Sequence, residues 1–289
     1  MSTAVALSRI FTLKSPSSSI RTWRFAGLTF LALALLVFVV TALFPSWLAP
    51  APPLATDPDQ VLQAPSGAHL LGTDQVGRDL LSRIIFGARY SLVIGIGSVL
   101  LSAVAGVALG VLSGLAPRGI DEIITRVLDV INAFPEILLA LVVISIAGRG
   151  PVNVVIAVGV AGIPRFARVV RAQVFVIKRA DFMDVALTQG LSYPHRIVKH
   201  LVPNILGPVF ALATIGTAGA IVNAAGLSFL GLGPQPPTPE WGAMLSDGRN
   251  YFESAWWVAV FPGLAIVAVV LVVTIVGRIT QARFDGAGS

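Results

Sequence analysis

Residues 90–116 read YSLVIGIGSVLLSAVAGVALGVLSGLA, without a single Asp, Glu, Lys, Arg or His. A helix needs about 20 mostly apolar residues to cross a bilayer, so this run can cross on its own. It must do so as a helix, because hydrocarbon offers no water to unpaired backbone groups. Its glycines fit that reading, since Gly and Pro are commoner in membrane helices than in soluble ones. Further charge-free runs lie at 25–45, 137–148, 150–164, 201–239 and 254–277. Completed by flanking residues, they give an expectation of six transmembrane helices at about 25–45, 90–115, 124–147, 151–171, 204–227 and 255–277, in an all-α membrane protein.

Composition points the same way. Of 289 residues, 55% are hydrophobic and 12% charged, and the mean hydropathy is +0.86. Soluble domains carry about 25% charged residues, so a water-soluble fold is excluded. The net charge of +6 would suit nucleic acid, where Lys and Arg neutralise phosphates, but membrane topology accounts for it better and no nucleic-acid partner is expected. Cysteine is absent, which removes disulfides, thiolate metal sites and cysteine nucleophiles. His69, His195 and His200 are not clustered as a metal site requires, so no metal is expected. The first apolar run is followed by Ala49-Pro50-Ala51, but it exceeds the about 7 to 15 residues of a signal-peptide core, which favours a retained anchor.

An even number of spans puts both termini on one side, and Lys and Arg collect on the cytoplasmic side. With the termini inside, only Arg78, Arg83, Arg89, Arg149 and Arg249 of the 20 Lys and Arg residues fall outside. Cytoplasmic termini are therefore expected. The chain then divides into a cytoplasmic tail (1–24), a first span (25–45), an external loop (46–89), a five-helix core (90–277) with a second external loop at 228–254, and a cytoplasmic tail (278–289). Leu80, Leu81, Ile84 and Ile85 recur at helical spacing opposite Arg78, Asp79 and Arg83, so the first external loop should hold an interfacial amphipathic helix.

The long internal segment Arg165–Pro203 is strongly basic. Within it Asp184–Gln189 reads as a helix stopped by Gly190, which adopts a left-handed cap without steric cost. Ser192 can cap a second short helix with Pro194 in its first turn, and Pro203 opens the fifth span. Two short helices around a glycine form a knob at about 180–203, shaped to dock in a partner's groove.

This knob resembles the Glu-Ala-Ala loop of ABC importer permeases, with Asp184, Val185 and Ala186 in the place of that tripeptide and Gly190 and Pro203 at matching spacing. Two further runs carry a more specific resemblance. His69-Leu70-Leu71-Gly72-Thr73-Asp74, then Gly77-Arg78-Asp79-Leu80-Leu81-Ser82-Arg83, is similar to one signature of the dipeptide/oligopeptide/nickel permeases. Leu227–Gly233 with Gly231 and Gly233, then Pro236, Pro237, Pro239, Trp241 and Gly242, is similar to another. The C-terminus departs from the family pattern, because Gly277 is followed by Arg278.

The resemblance implies a type I ABC-importer permease in a bacterial inner membrane, moving di- or oligopeptides, opines or nickel chelates. It implies a second related permease, two cytoplasmic ATPase subunits that use ATP and Mg, and an external binding protein as partners. It also implies that Asp184, Ala186, Gly190, Ser192 and Pro203 form the coupling element. The residues agree that this chain binds no nucleotide: a P-loop needs Gly-Lys-Ser/Thr, and none of Lys14, Lys178 or Lys199 follows a glycine.

Asp129 and Glu136 lie in the expected third span, seven residues apart and so nearly on one helical face. Intramembrane acids are functional candidates, and a proton-coupled carrier built on them is the alternative reading. A structural or pathway-lining role is simpler, with Asp129 pairing to Arg126 one turn earlier. Arg165, Arg168 and Arg171 share one face, and snorkelling at the inner surface is the simpler account of them than a substrate role. Gly106, Gly110 and Gly114 form a stripe for close helix approach, within the chain or against a partner. Trp241, Trp256 and Trp257 sit near the outer interface, with Trp241 as a candidate contact for the binding protein.

Overall fold

A computed structural model describes the backbone of residues 18–286 and the side chains of residues 29–282. The N-terminal tail expected at 1–24 lies largely outside the described residues, as do the last residues of the C-terminal tail. The chain is all-helical: α1 (Ser18–Leu43), α2 (Pro45–Leu48), α3 (Leu80–Leu115), α4 (Arg118–Asn132), α5 (Glu136–Ala147), α6 (Pro151–Ile177), α7 (Asp181–Thr188), α8 (Tyr193–Arg196), α9 (Val202–Phe229), α10 (Trp241–Gly248) and α11 (Trp257–Gly286).

Among the described residues, four helices are long and apolar enough to cross a membrane: 80–115, 151–177, 193–229 and 257–282. The expected third span is not one helix. α4 and α5 meet at a bend of 93°, because Pro135 disfavours helical geometry at Phe134 and itself begins α5 from an extended conformation. α4 places Arg118, Asp121, Glu122 and Asp129 along one side and Ile120, Ile123, Val127 and Val130 along the other. It is amphipathic, and only the pair taken together counts as a fifth candidate span.

α3 begins at Leu80, where Asp79 accepts from Ser82 N at 2.8 Å and Ser82 Oγ at 2.6 Å. Its 36 residues at about 1.5 Å per residue exceed the about 30 Å of hydrocarbon, so its first turns project beyond the membrane. The interfacial amphipathic helix expected at 80–85 is thus the buried start of α3: Leu80 and Arg83 are both covered, and the expected boundary at residue 89 lies inside one continuous helix.

The core of the fold is α3 laid against α6. A side chain at Gly110 would come within 2.6 Å of Ala167 O, and one at Gly114 within 2.6 Å of Val174 Cγ1, while one at Gly106 would overlap Phe166. The glycine stripe therefore serves contact within this chain. Ser102 adds a hydrogen bond from Oγ to Gly159 O at 2.6 Å. Val99, Phe166, Val170, Val174, Ile205 and Leu227 fill one apolar cluster; Leu80, Leu92, Ile221, Trp241, Trp257 and Val269 fill a second.

The second short helix of the knob is not separate from the fifth span. α8 continues through a π-helical turn, Ile197–Leu201, into α9 as one helix, residues 193–229. Pro203 has no N–H to donate backward, and just before it Val202 N reaches Ile197 O, five residues back. Single π turns of this kind absorb such a mismatch. Ser192 occupies the cap position, yet its side chain makes no capping bond.

Candidate functional site

Two loop clusters at opposite ends of the helices carry the motifs. The first unites 51–83 with 237–257. Asp74 Oδ1 accepts from Val76 N and Arg78 N, both at 3.0 Å, and Oδ2 accepts from Arg78 Nε at 2.6 Å; Arg83 Nε lies 3.4 Å from the same oxygen. All three side chains are buried. Arg83 Nη1 also donates to Pro53 O and Pro237 O, each at 3.3 Å, tying the two loops together. His69 Nδ1 lies 2.9 Å from Asp79 Oδ1, and its Nε2 contacts Gln60. Gly72 and Gly77 turn the chain at φ +80° and +75°, and a Cβ at Gly77 would overlap the Asp57 carbonyl.

The second loop is locked to the first by Glu240 and Trp241, each 1% exposed. Glu240 caps α10 by accepting from Gly242 N at 3.0 Å and Ala243 N at 2.9 Å, and also accepts from Ser91 Oγ at 2.9 Å. Trp241 Nε1 donates to Ile84 O at 2.9 Å. Trp241 is therefore a packing residue, not a surface contact for a binding protein. Trp257 is likewise buried, donating to Thr73 O at 3.2 Å, so of these three tryptophans Trp256 is the one left exposed. Gly231 follows the end of α9, with Gly231 N bonded to Ser228 O at 2.9 Å and Leu232 N to Leu227 O at 3.0 Å. Gly233 packs against Ser228, and the Pro236–Pro237 bond is cis. Glu240 was missed by sequence reasoning, since glutamate is not among the residues usually found at a helix N-cap.

The second cluster is the knob. α7 ends in a complete left-handed cap: Gly190 has φ +77°, Gly190 N bonds Leu187 O at 3.0 Å, and Leu191 N bonds Ala186 O at 3.2 Å. This is the pairing a helix makes when a glycine turns its C-terminus. Met183 and Ala186 face inward, whereas Val185 and Leu187 are 53% and 54% exposed. Asp184, Gly190, Ser192 and Pro203 are exposed as well. Phe182, Tyr193 and Val198 extend the exposed apolar surface. Sequence reasoning had singled out the polar and small positions of the knob rather than these exposed apolar ones.

Between the clusters, the intramembrane acids are separated. The bend puts Asp129 on α4 and Glu136 on α5, so they do not share a helical face. Asp129 pairs with Arg168 at 3.0 Å, not with Arg126, which lies 3.7 Å from Glu122. Arg171 grips Asp121 with two hydrogen bonds of 2.6 and 2.7 Å. These two arginines join α6 to α4 instead of snorkelling. Glu136 accepts from Asn223 Nδ2 at 2.9 Å. Among the described residues no group of acids or histidines could hold a metal ion.

A cavity of about 590 Å³ opens between α6, α9 and α11, lined by Arg165, Gln173, Pro203, Asn204, Pro208 and Gln281 among others. Its wall begins at the first turn of α9, directly after the knob.

Residues 106–286 match the family described as binding-protein-dependent transport system inner membrane component. The chain belongs to that family. The permease is 41% identical over 251 residues to the di/tripeptide transport system permease protein DppC of Pseudomonas aeruginosa, covering 85% of this chain and 83% of that protein. It is 41% identical over 257 residues to the dipeptide transport system permease protein DppC of Escherichia coli K12, covering 87% and 84%. It is 43% identical over 221 residues to the glutathione transport system permease protein GsiD of Pectobacterium atrosepticum, covering 76% and 73%. Among solved structures, an inward-facing form of the MetNI methionine ABC transporter superposes with a TM-score of 0.55 at 20% identity, over 70% of this chain and 95% of that one. At that identity the likeness speaks for the fold alone. The permease is a multi-pass membrane protein and a transport subunit, not an enzyme.

Proposed function

We propose that this permease imports di- or oligopeptides delivered by an external binding protein, in a complex with a second related permease and two cytoplasmic ATPase subunits that consume ATP and Mg. The peptide transport named for the relatives supports the substrate class. The observation that carries the coupling role is the knob itself, a glycine-capped helix with apolar side chains left exposed. A surface that leaves Val185 and Leu187 uncovered fits a partner's groove. Because α8, the π turn and α9 are one helix, a push on the knob passes straight into a membrane span, the kind of rigid-body coupling that switches access.

In this reading the chain crosses the membrane six times, with α1 as the first span and the bent α4–α5 unit as the third, and both termini are cytoplasmic. The cluster containing Asp74 and Trp241 then faces outward and the knob inward. Asp184 and Ser192 sit on the docking surface, Ala186 holds α7 in place, and Pro203 starts the span that the knob moves. Asp129 serves structure through Arg168, and the pair is poorly placed for proton coupling now that the bend divides it from Glu136.

The test is uptake in proteoliposomes containing the complete transporter. Wild type should import Ala-Ala only with ATP and the binding protein. Gly190→Val should keep membrane insertion and pairing with the second permease but lose most uptake and weaken ATPase association, since a β-branched side chain is penalised by about 1 kcal/mol or more at positive φ. Normal uptake and normal association in Gly190→Val would remove the coupling assignment.

A further inference from the structure

Arg165, Arg168 and Arg171 recur along α6, yet they have different fates. Arg168 and Arg171 are each paired with an acid of α4, whereas Arg165 makes no ion pair or hydrogen bond among the described residues. It instead lines the 590 Å³ cavity, together with Gln173 on α6, Asn204 on α9 and Gln281 on α11. Gln173 and Gln281 are also without hydrogen-bond partners among the described residues. Asn204 donates to His200 O at 2.5 Å, which leaves its side-chain oxygen free to accept.

Three helices thus bring a guanidinium and three amides to one cavity. Guanidinium offers a fork of N–H donors matched to a carboxylate, and amides can pair with a peptide unit. The volume lies within the about 300–1,000 Å³ of small-ligand sites. A snorkelling arginine needs none of this, because a lipid-facing side chain has no use for amides contributed by two further helices.

We propose that this cavity is a peptide subsite of the pathway in which Arg165 holds the C-terminal carboxylate, with Gln173, Asn204 and Gln281 around the backbone. The inference rests on the peptide reading above and adds a site within this chain. Its position has a consequence for mechanism: Pro203 and Asn204 lie in the first turn of α9, on the continuous helix that carries the knob, so a peptide in the cavity touches the element that the ATPases move.

The test uses the complete nucleotide-free transporter without its binding protein, in nanodiscs of zwitterionic lipid. Ala-Ala should bind at least tenfold more tightly than Ala-Ala amide. Arg165→Gln should lose that preference while its affinity for Ala-Ala amide stays near that of wild type, and Arg165→Lys should restore part of it. Equal binding of acid and amide by wild type overturns the subsite, and that comparison needs no variant to fold. Loss of the preference when phosphatidylglycerol replaces the zwitterionic lipid overturns it too, assigning Arg165 to a headgroup phosphate. Absence of ATP-driven Ala-Ala uptake by wild type would refute the peptide reading itself; uptake with no discrimination between acid and amide would refute the subsite alone.

Discussion

The two motif-bearing ends of this permease are built on opposite plans. At one end Asp74, Arg78, Arg83, Glu240 and Trp241 are all buried, and charged side chains find their partners inside the chain. At the other, α7, α8 and the π turn leave Val185, Leu187, Tyr193 and Val198 uncovered. A family-like motif can therefore mean two things. The first end is a finished piece of structure whose motif residues close a cap over the helices, whereas the second keeps its motif residues around an exposed, glycine-capped turn, the surface proposed to receive an ATPase.

Mutations should separate the two plans. The largest effect is expected at Asp74. Asp74→Ala leaves Arg78 and Arg83 buried beside no carboxylate at that point, a change that costs about 3–5 kcal/mol where one member of a buried ion pair is removed. The variant should melt far below wild type in detergent or fail to accumulate. Val185→Ser, on the exposed knob, should leave the melting temperature of the isolated permease nearly unchanged, within the about 0.5 kcal/mol typical of surface substitutions. Similar destabilisation by both would erase the contrast.

A smaller effect is expected at Asp247 on α10. Burial pushes its carboxyl above the usual range, against the opposing pull of Arg83 and Arg78. A raised native pKa means that the folded state holds this proton more tightly than the unfolded one. Its contribution is present below the unfolded value of about 3.9 and is lost as pH rises through the higher native value. Asp247→Asn should therefore melt slightly above wild type at pH 7, with the difference shrinking as the pH is lowered into the carboxylate range. A variant that melts lower at pH 7 and stays lower in acid would show that the ionised form is the stabilising one.

Much of this architecture is legible in the sequence because the bilayer permits so few solutions. Charge-free runs find α3, α9 and α11, although α3 starts about ten residues before the expected span and α11 runs about nine residues past its expected end. What escaped has physical reasons. Arg78, Asp79 and Arg83 look like surface residues by composition, yet Asp74, His69 and the carbonyls of Pro53 and Pro237 close over them. The identity of Pro135 hinted at a break, but a bend of 93° depends on what receives each half, here the arginines of α6 for α4. Gly190 was legible because positive φ has a simple sequence signature. Val185 and Leu187 were not, since an exposed apolar residue and a buried one look alike until the neighbouring helix is placed. The cavity around Arg165 draws on α6, α9 and α11 and has no local signature at all.

The central claim is that the knob is the surface on which an ATPase docks. The natural absence of cysteine makes this directly measurable with a single cysteine and a short thiol-reactive photo-crosslinker in the complete transporter. Val185→Cys, on the exposed face of α7, is expected to crosslink to an ATPase subunit, and Trp256→Cys, exposed at the opposite end, is expected not to. Crosslinking of Val185→Cys to the external binding protein, or to no ATPase while Trp256→Cys reaches one, would contradict the account.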